Sequence, residues 1–454
     1  MKQLKHRTLF VLAFVGMLCV GMVVLLAFYV IDGASWAAFR ANSHVYTDGT
    51  LNSGGIYDRN GEVLYDCATA SYNPDPLIRT ATLHAVGDQN GSIATGAKTV
   101  FADYLVGFNA IFGTNGTGNK VNLTIDAQLN KTAYEALDGR KGTVSLYNYE
   151  TGELLCMVSA PAFDPTDTEL VEAIISGDAW GYDGAFLNRF LSSTYTPGST
   201  FKVVTSAAAL ETLGNMEDFS YYCDGAKYYE GFDHAITCPS AHGSLDFDSA
   251  LWNSCNGAFA TIANEVGSET LKEYAQKAGL LDSVSVSGLS SAKGSFSTTD
   301  SVLDEGWSGV GQYKDLVNPC AELTLMGCIA GGGSAATPRL LGSVKGGKLG
   351  LSVAKVEAGN SSIDWQSSTC ETLKTMMRNN VLEHYGQDQF GDLPVCAKSG
   401  TAEVGDDVDP HAWFVGFVDS EEYPYAFVVV VENGGWGSSV AGGIAATLLE
   451  AACQ

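Results

Sequence analysis

The stretch YTPGSTFKVVTSAAALETLG (Tyr195–Gly214) decides how the chain is read. After Pro197-Gly198 it has the composition of one apolar helix, rich in Ala, Val and Leu, that stops at a glycine. A core helix needs no polar first turn, yet this one carries Ser199 and, one turn on, Lys202. Residues three apart on a helix share a face, so hydroxyl and amine meet there. Apolar residues 203–213 bury the rest, and Pro197-Gly198 keeps the mouth of the helix open.

A Ser-x-x-Lys pair is a weak signal alone, and context separates the occurrences. Ser290/Lys293 sits in a Ser/Gly-rich loop. Ser352/Lys355 follows a Gly-Lys-Leu-Gly turn in a strand-like run, where such positions point to opposite faces. Only Ser199/Lys202 opens a helix. Downstream lies Ser254-Cys255-Asn256, within a helical pattern, and then Lys398-Ser399-Gly400-Thr401 on a strand. A second Ser-x-Asn, Ser71-Tyr72-Asn73, has no helical frame. The order SxxK, SxN, KSG, each in a fitting element, is the specific signal.

With these motifs the chain resembles the class B penicillin-binding proteins, membrane-anchored D,D-transpeptidases of bacterial cell-wall synthesis. The resemblance covers nearly everything from Gly54. GGIYDRNGEVL looks like the start of the family's pedestal module, and GTVSLYNYETGELLCMVSAPAFDP like the first hairpin of its penicillin-binding domain. LNRFLSSTYTPGSTFKVVT, HGSLDFDSALWNSCNGAFATIA, AKSGTAE and HAWFVGF follow in family order. Ser399 stands where many members have Thr, and Ser-Gly-Gly precedes Ile56 where members often carry Arg-Gly. The pedestal is short, and no added C-terminal wall-binding module is visible.

The residue types suit acyl transfer, which needs a nucleophile, a base and an oxyanion site. Ser199 would attack the carbonyl between two D-alanines. Lys202 would take its proton if neutral, a state favoured by burial and by the positive Lys398. Ser254 would carry the proton to the leaving amine, and Asn256 would hold the substrate amide. The N–H groups of Ser199 and Thr401 would form the oxyanion hole, aided by the helix N-terminus. Gly400 leaves room for the substrate as an added strand. Ser399, Thr401 and Lys398 suit a terminal carboxylate. The resemblance implies as partners peptidoglycan stem peptides ending in D-Ala-D-Ala, β-lactams that mimic them, and a SEDS-family glycan polymerase. Two other readings fit the same residues. One is a serine β-lactamase or D,D-carboxypeptidase that passes the acyl group to water. The other is a non-catalytic β-lactam sensor or wall-synthesis scaffold.

The remaining chain is consistent with this. It has 454 residues, 46% apolar, with a net charge of -26, so nucleic acid is not an expected partner. Lys2, Lys5 and Arg7 precede an uncharged run from Thr8 to Ile31. Residues 9–31 would span about 35 Å as a helix, enough for a bilayer core of roughly 30 Å and longer than a signal-peptide core. The expected layout is a cytoplasmic tail (1–8), an anchor in the cytoplasmic membrane (9–31), an irregular membrane-proximal pedestal (32–120) and the transpeptidase domain (121–454), with the catalytic part outside the cell.

Within the last part, a hairpin at 142–159 and strands at 395–404, 411–419 and 425–433 predict one five-stranded antiparallel sheet, with helices and loops across 160–394. The expected class is α/β (α+β), of the penicillin-binding transpeptidase or serine β-lactamase-like kind.

Other features have plainer readings. Among 11 cysteines no CxxC occurs, which speaks against a zinc ribbon. Cys223 and Cys238 flank a Gly/Tyr-rich stretch, and a disulfide between them is one option in an oxidising exterior. Cys156, Cys320, Cys328 and Cys396 read as small buried side chains. His234 and His242 lie in a loop region without HExxH, so no metal or other cofactor is expected. No GxSxG suggests a Ser-His-Asp triad. His411 reads as structural, Trp413 and Phe414 as core or cleft wall, and Gly309–Gln312 (GVGQ) as helix-to-cleft packing. Asp406, Asp407 and Asp409 form a solvated acidic loop, and Glu403 is a candidate for tuning Lys398.

Overall fold

The structure, a computed structural model, describes all residues except 1, 48–49, 115, 215, 347–350, 355, 357 and 406. Lys355 and Asp406 therefore lie outside the described residues. The chain opens with helix α1 (Lys2–Ala37). Among the described residues it is the only helix long and apolar enough to cross a membrane. Its large side chains from Leu9 to Ile31 are exposed, which in water would be unfavourable and suggests a membrane anchor.

Short strands β1 (Gly55–Tyr57), β2 (Val63–Asp66) and β3 (Ser71–Tyr72) follow, then β4 (Asn119–Leu123). Gly61, at φ +87°, makes the turn between β1 and β2. Helix α2 (Ala127–Leu137) starts at Asp126, whose carboxylate accepts from the N–H groups of Gln128 and Leu129. Strands β5 (Gly142–Asn148) and β6 (Leu154–Ala160) form the predicted hairpin. The middle of the chain supplies α3 (Lys202–Thr212), α4 (Asn256–Val266), α5 (Val302–Val310) and α6 (Pro319–Ala330). Then come β7 (Leu341–Gly346), β8 (Leu351–Ala354), α7 (Ser367–Asn380), β9 (Val395–Ala402), β10 (His411–Val418), β11 (Tyr425–Val431) and α8 (Val440–Ala452).

The five-stranded sheet has the order β6-β5-β11-β10-β9, with every neighbour antiparallel. Strands from the two ends of the domain meet in it, as the sequence predicts. Both faces are buried, and the period of two divides each strand between them. Trp413, Val415, Phe417, Val428 and Val430 join the core under α6. Ala412, Phe414, Val418, Val429 and Val431 join the core under α2 and α8. Helix α6 crosses the sheet with every residue from Pro319 to Ala330 buried, Glu322 and Thr324 among them, in an otherwise apolar sequence. Strand β9, which carries KSG, is left at an edge.

A second sheet differs from expectation. Its order is β8-β7-β4-β1-β2-β3, with β1 and β4 parallel. Strand β7 comes from the stretch read as helices and loops, while β8 is the strand-like run that holds Ser352. LGSVKG in β7 shows no clean alternation, and its partner β4 is distant in sequence, so local pattern could not reveal the pairing.

Candidate active site

Ser199 lies in a tight 3-10 turn, Gly198–Phe201, that runs into α3. The α-helix itself begins at Lys202, later than the sequence suggests. In a 3-10 turn residues i and i+3 eclipse, which lines up Ser199 and Lys202 closely. Gly198 is required here. It sits at φ +56°, and a Cβ on it would lie 2.8 Å from the Thr401 carbonyl oxygen. Its N–H donates to Gly311 O at 2.9 Å, where a Cβ on Gly311 would meet Gly198 O at 2.1 Å. Three backbones therefore meet around the half-buried serine.

Lys202 is fully buried. Its Nζ donates to Ser199 Oγ at 3.0 Å, Ser254 Oγ at 3.1 Å, Ser254 O at 2.6 Å and Asn256 Oδ1 at 2.7 Å. Lys398, also fully buried, donates to the same Ser254 Oγ at 3.0 Å and to Ser399 O at 2.9 Å. None of these partners is a carboxylate. Burial pulls Lys202 down from the ordinary lysine value to about 7. Burial, and then repulsion from Lys202, holds Lys398 well below its ordinary value. One hydroxyl, Ser254 Oγ, thus bridges two amines that burial makes easier to deprotonate than an ordinary lysine.

The Ser254-Cys255-Asn256 motif does not lie within one helix, as its pattern suggests. A short helix ends at Trp252, α4 begins at Asn256, and Ser254 turns between them at φ +52°. Cys255 Sγ caps α4 by accepting from the Ala258 N–H at 3.4 Å. Asn256 points its oxygen to Lys202, and its Nδ2 donates to Thr237 O at 2.7 Å.

On the free edge of β9, the Ser399 N–H points away from β10 and donates to the Tyr385 hydroxyl at 2.9 Å. Backbone direction repeats every second residue, so Thr401 presents its N–H and C=O on that same edge. Gln312 Nε2 already donates to the Thr401 carbonyl at 2.8 Å. Tyr385 also bonds Ser399 Oγ at 3.0 Å, and the Gly437 N–H donates to Thr401 Oγ1 at 3.2 Å. A Cβ on Gly400 would lie 2.8 Å from Pro197 O, so the strand lies close against the nucleophile turn.

Residues 142–450 match the family model of the penicillin binding protein transpeptidase domain. The chain belongs to the class B penicillin-binding proteins. A curated relative, the peptidoglycan D,D-transpeptidase PbpA of Mycolicibacterium smegmatis, is 32% identical over 354 residues, 73% of this chain and 71% of the relative. The crystal structure of PBPA from Mycobacterium tuberculosis matches with a TM-score of 0.77 at 24% identity, over 89% of this chain and 100% of that one. The imipenem acyl-enzyme complex of penicillin-binding protein A from M. tuberculosis matches with a TM-score of 0.76 at 25% identity, over 88% and 98%.

In this penicillin-binding protein the eight residues singled out from sequence converge: Ser199, Lys202, Ser254, Asn256, Lys398, Ser399, Gly400 and Thr401. Lys293 is exposed, and Ser71 lies on β3 in the other sheet. His411 is structural: its Nδ1 accepts from the Asn433 N–H at 3.1 Å, and its ring stands edge-on to Tyr195. Glu403 is exposed, and the Lys398 shift comes from burial and Lys202 instead.

Cys223 and Cys238 are free thiols with sulfurs 3.8 Å apart, not a disulfide. Tyr385, the bonding role of Gln312 and the fully buried Glu322 escaped the sequence reading. Each acts through tertiary contact and carries no local pattern. Burial raises the Glu322 carboxyl to about 7, with a hydrogen bond to Thr200, next to the nucleophile, opposing the rise.

Proposed function

We propose that this chain is a serine-type peptidoglycan D,D-transpeptidase with Ser199 as nucleophile. The observation that carries the reading is the fully buried Lys202 amine, bonded at once to Ser199 Oγ, Ser254 Oγ and Asn256 Oδ1. Neutral Lys202 takes the Ser199 proton as Oγ bonds to the carbonyl carbon of the penultimate D-alanine. The C–N bond to the last D-alanine breaks, and its nitrogen receives a proton through Ser254. The oxyanion lies between the N–H groups of Ser199 and Thr401. The substrate backbone pairs with β9 at Thr401, displacing the Gln312 amide, while Lys398, Ser399 and Thr401 face its carboxylate. An amine from a second stem peptide then attacks the ester, breaking the bond to Ser199 Oγ and forming the cross-link. A β-lactam follows the first half of this course and stops at the ester.

Residues 9–31 anchor the protein, with 1–8 cytoplasmic and both the pedestal (32–120) and the transpeptidase domain (121–454) outside. A glycan polymerase of the SEDS family is the proposed partner. The reading is supported by a 25% identical chain in a peptidoglycan synthase complex described as coordinating polymerization and crosslinking, matched with a TM-score of 0.63.

Intact-protein mass spectrometry of the full chain after penicillin exposure, with peptide mapping, tests this. A lasting adduct on Ser199, absent from Ser199→Ala, is expected. Labelling of Ser199→Ala overturns the nucleophile, and rapid release of hydrolysed penicillin overturns the transpeptidase in favour of a hydrolase.

A further inference from the structure

A small hairpin stands beside the C-terminal end of α1. In it Phe108 pairs with Thr114 and Asn109 with Gly113. The Phe108 ring meets Tyr29 of α1 edge-on, with centroids 5.5 Å apart. Gly33, one turn further along α1, makes room for that ring, since a Cβ there would collide with it. Tyr29 lies inside the uncharged run that ends at Ile31, and Asp32 is the first charged residue after it. Phe108 is therefore seated level with the end of the apolar span.

The chain reaches that level by descending along α1. Leu105 ends the short helix Ala102–Leu105 and lines one cavity with Ala38. Three residues on, Phe108 sits against Gly33 and Tyr29. At 1.5 Å per residue this is about 8–14 Å along α1 towards the bilayer. The turn carries Ile111 and Phe112 further still, 82% and 80% exposed. Two large apolar side chains held out together at one loop tip mark a contact surface.

We propose that Ile111 and Phe112 insert into the near surface of the lipid bilayer that α1 crosses, as a second membrane contact of the pedestal. The inference rests on the reading of α1 as a membrane anchor. Two further features fit lipid as the occupant. No charged residue occurs from Tyr104 to Asn119, in a chain where 17% are charged, so the tip brings no ion out of water. The amides of the tip are also satisfied internally. The N–H groups of Ile111 and Phe112 both donate to Asn109 Oδ1, at 2.8 Å and 3.3 Å. Unpaired amides would be costly among acyl chains. Non-helical backbone stays out of the hydrocarbon for the same reason, so the two side chains enter and the hairpin backbone rests at the headgroups. Trp36, exposed one turn past Gly33, lies at the same boundary, where tryptophan is favoured.

The second contact sets the lean of the protein. A single helix leaves the pedestal free to tilt about the end of α1. A hairpin dipped into the same bilayer removes that freedom. The hairpin leads into β4, which pairs with β1 of the pedestal and with β7 of the transpeptidase domain. The restraint therefore passes to both parts through one sheet.

The test uses the full chain in liposomes of phosphatidylcholine and phosphatidylglycerol. A photoreactive diazirine amino acid replaces Phe112, and in separate samples Leu18 of α1 or Tyr222, an exposed side chain of the transpeptidase domain. After illumination, mass spectrometry is expected to find phospholipid at Leu18, and at least ten times more at Phe112 than at Tyr222. Phe112→Trp adds one indole, whose fluorescence should be quenched at least twofold by lipids brominated near the headgroup. Gly33→Leu fills the seat of Phe108 and should abolish that quenching. Penicillin acylation at the wild-type rate shows that each variant is folded. If Gly33→Leu is not, the measurements at Phe112 still decide.

Phospholipid at Leu18 with no excess at Phe112 overturns the proposal and leaves the anchor standing. No phospholipid at Leu18 overturns the anchor itself. In native membranes, attachment of Phe112 to another polypeptide in place of lipid also overturns the proposal, because the hairpin then docks a protein partner.

Discussion

Replacing Lys202 by methionine removes the amine and keeps the length of the side chain. The wild-type amine has a folded value of about 7 against an ordinary 10.5, with burial as the main cause. The shift corresponds to on the order of 5 kcal/mol between the protonated folded and unfolded forms. The folded value is the lower one. Between about pH 7 and 10.5 the unfolded chain therefore holds a proton that the folded chain lacks, and stability rises with pH. Below about pH 7 both forms are protonated, and the penalty is complete and flat. From pH 7 to pH 9 the wild type should gain about 2 kcal/mol relative to Lys202→Met.

Urea unfolding of both proteins at the two pH values, followed by tryptophan fluorescence, measures this directly. Penicillin acylation gives a second reading on the same group. Its rate should rise about tenfold per pH unit below pH 7 and level off above it, and the variant should lose a factor of about 100 to 10,000. A stability difference that does not change from pH 7 to pH 9 refutes the lowered amine. Acylation independent of pH between 5.5 and 7 refutes Lys202 as the base.

Glu322→Gln should stabilise the protein above pH 7 by about 3 kcal/mol and leave it unchanged at pH 4.5. The folded carboxyl titrates at about 7, above its unfolded value of 4.5, so its penalty develops between those values and is absent below them. Urea midpoints at the two pH values check this. Tyr385→Phe removes the hydroxyl that receives the Ser399 N–H, and should cost about 1–2 kcal/mol, seen as a Tm lower by a few degrees. Gly437→Ala places a Cβ 2.2 Å from Gly400 O and 2.6 Å from Trp413 O. It should push the β9 edge out of place and slow acylation at least tenfold at unchanged helix content, as stopped-flow labelling would show.

The legible part of the site was the part written in short motifs. Ser199 and Lys202 are one helical turn apart, so their meeting follows from local geometry alone. Lys398, Ser399, Gly400 and Thr401 share one strand, and the unbroken apolar runs at 411–418 and 425–431, rich in Val and Phe, announced the sheet beside it. Less legible was the Ser254 turn. ALWNSCNGAFATIA has helical composition throughout, and only the break at Ser254, with φ +52°, aims its hydroxyl at both lysines. Tyr385 and Gln312 reach β9 from separate elements, and no spacing along the chain encodes such a contact.

By itself the sequence determined the local units: an apolar N-terminal helix, the strands with buried faces, the nucleophile turn and the order of three motifs. Those follow from hydrophobic periodicity and steric preference over a few residues. Tertiary structure alone decided three things. It buried Lys202 and Lys398 together on one hydroxyl, which lowers both amines because charge is costly away from water. It joined β7 and β8 to strands near the start of the chain. It also gathered Cys223, Cys238, His242 and Cys255 from separate loops into a single cluster. Contacts of that kind depend on how whole elements pack, which no short window of residues contains.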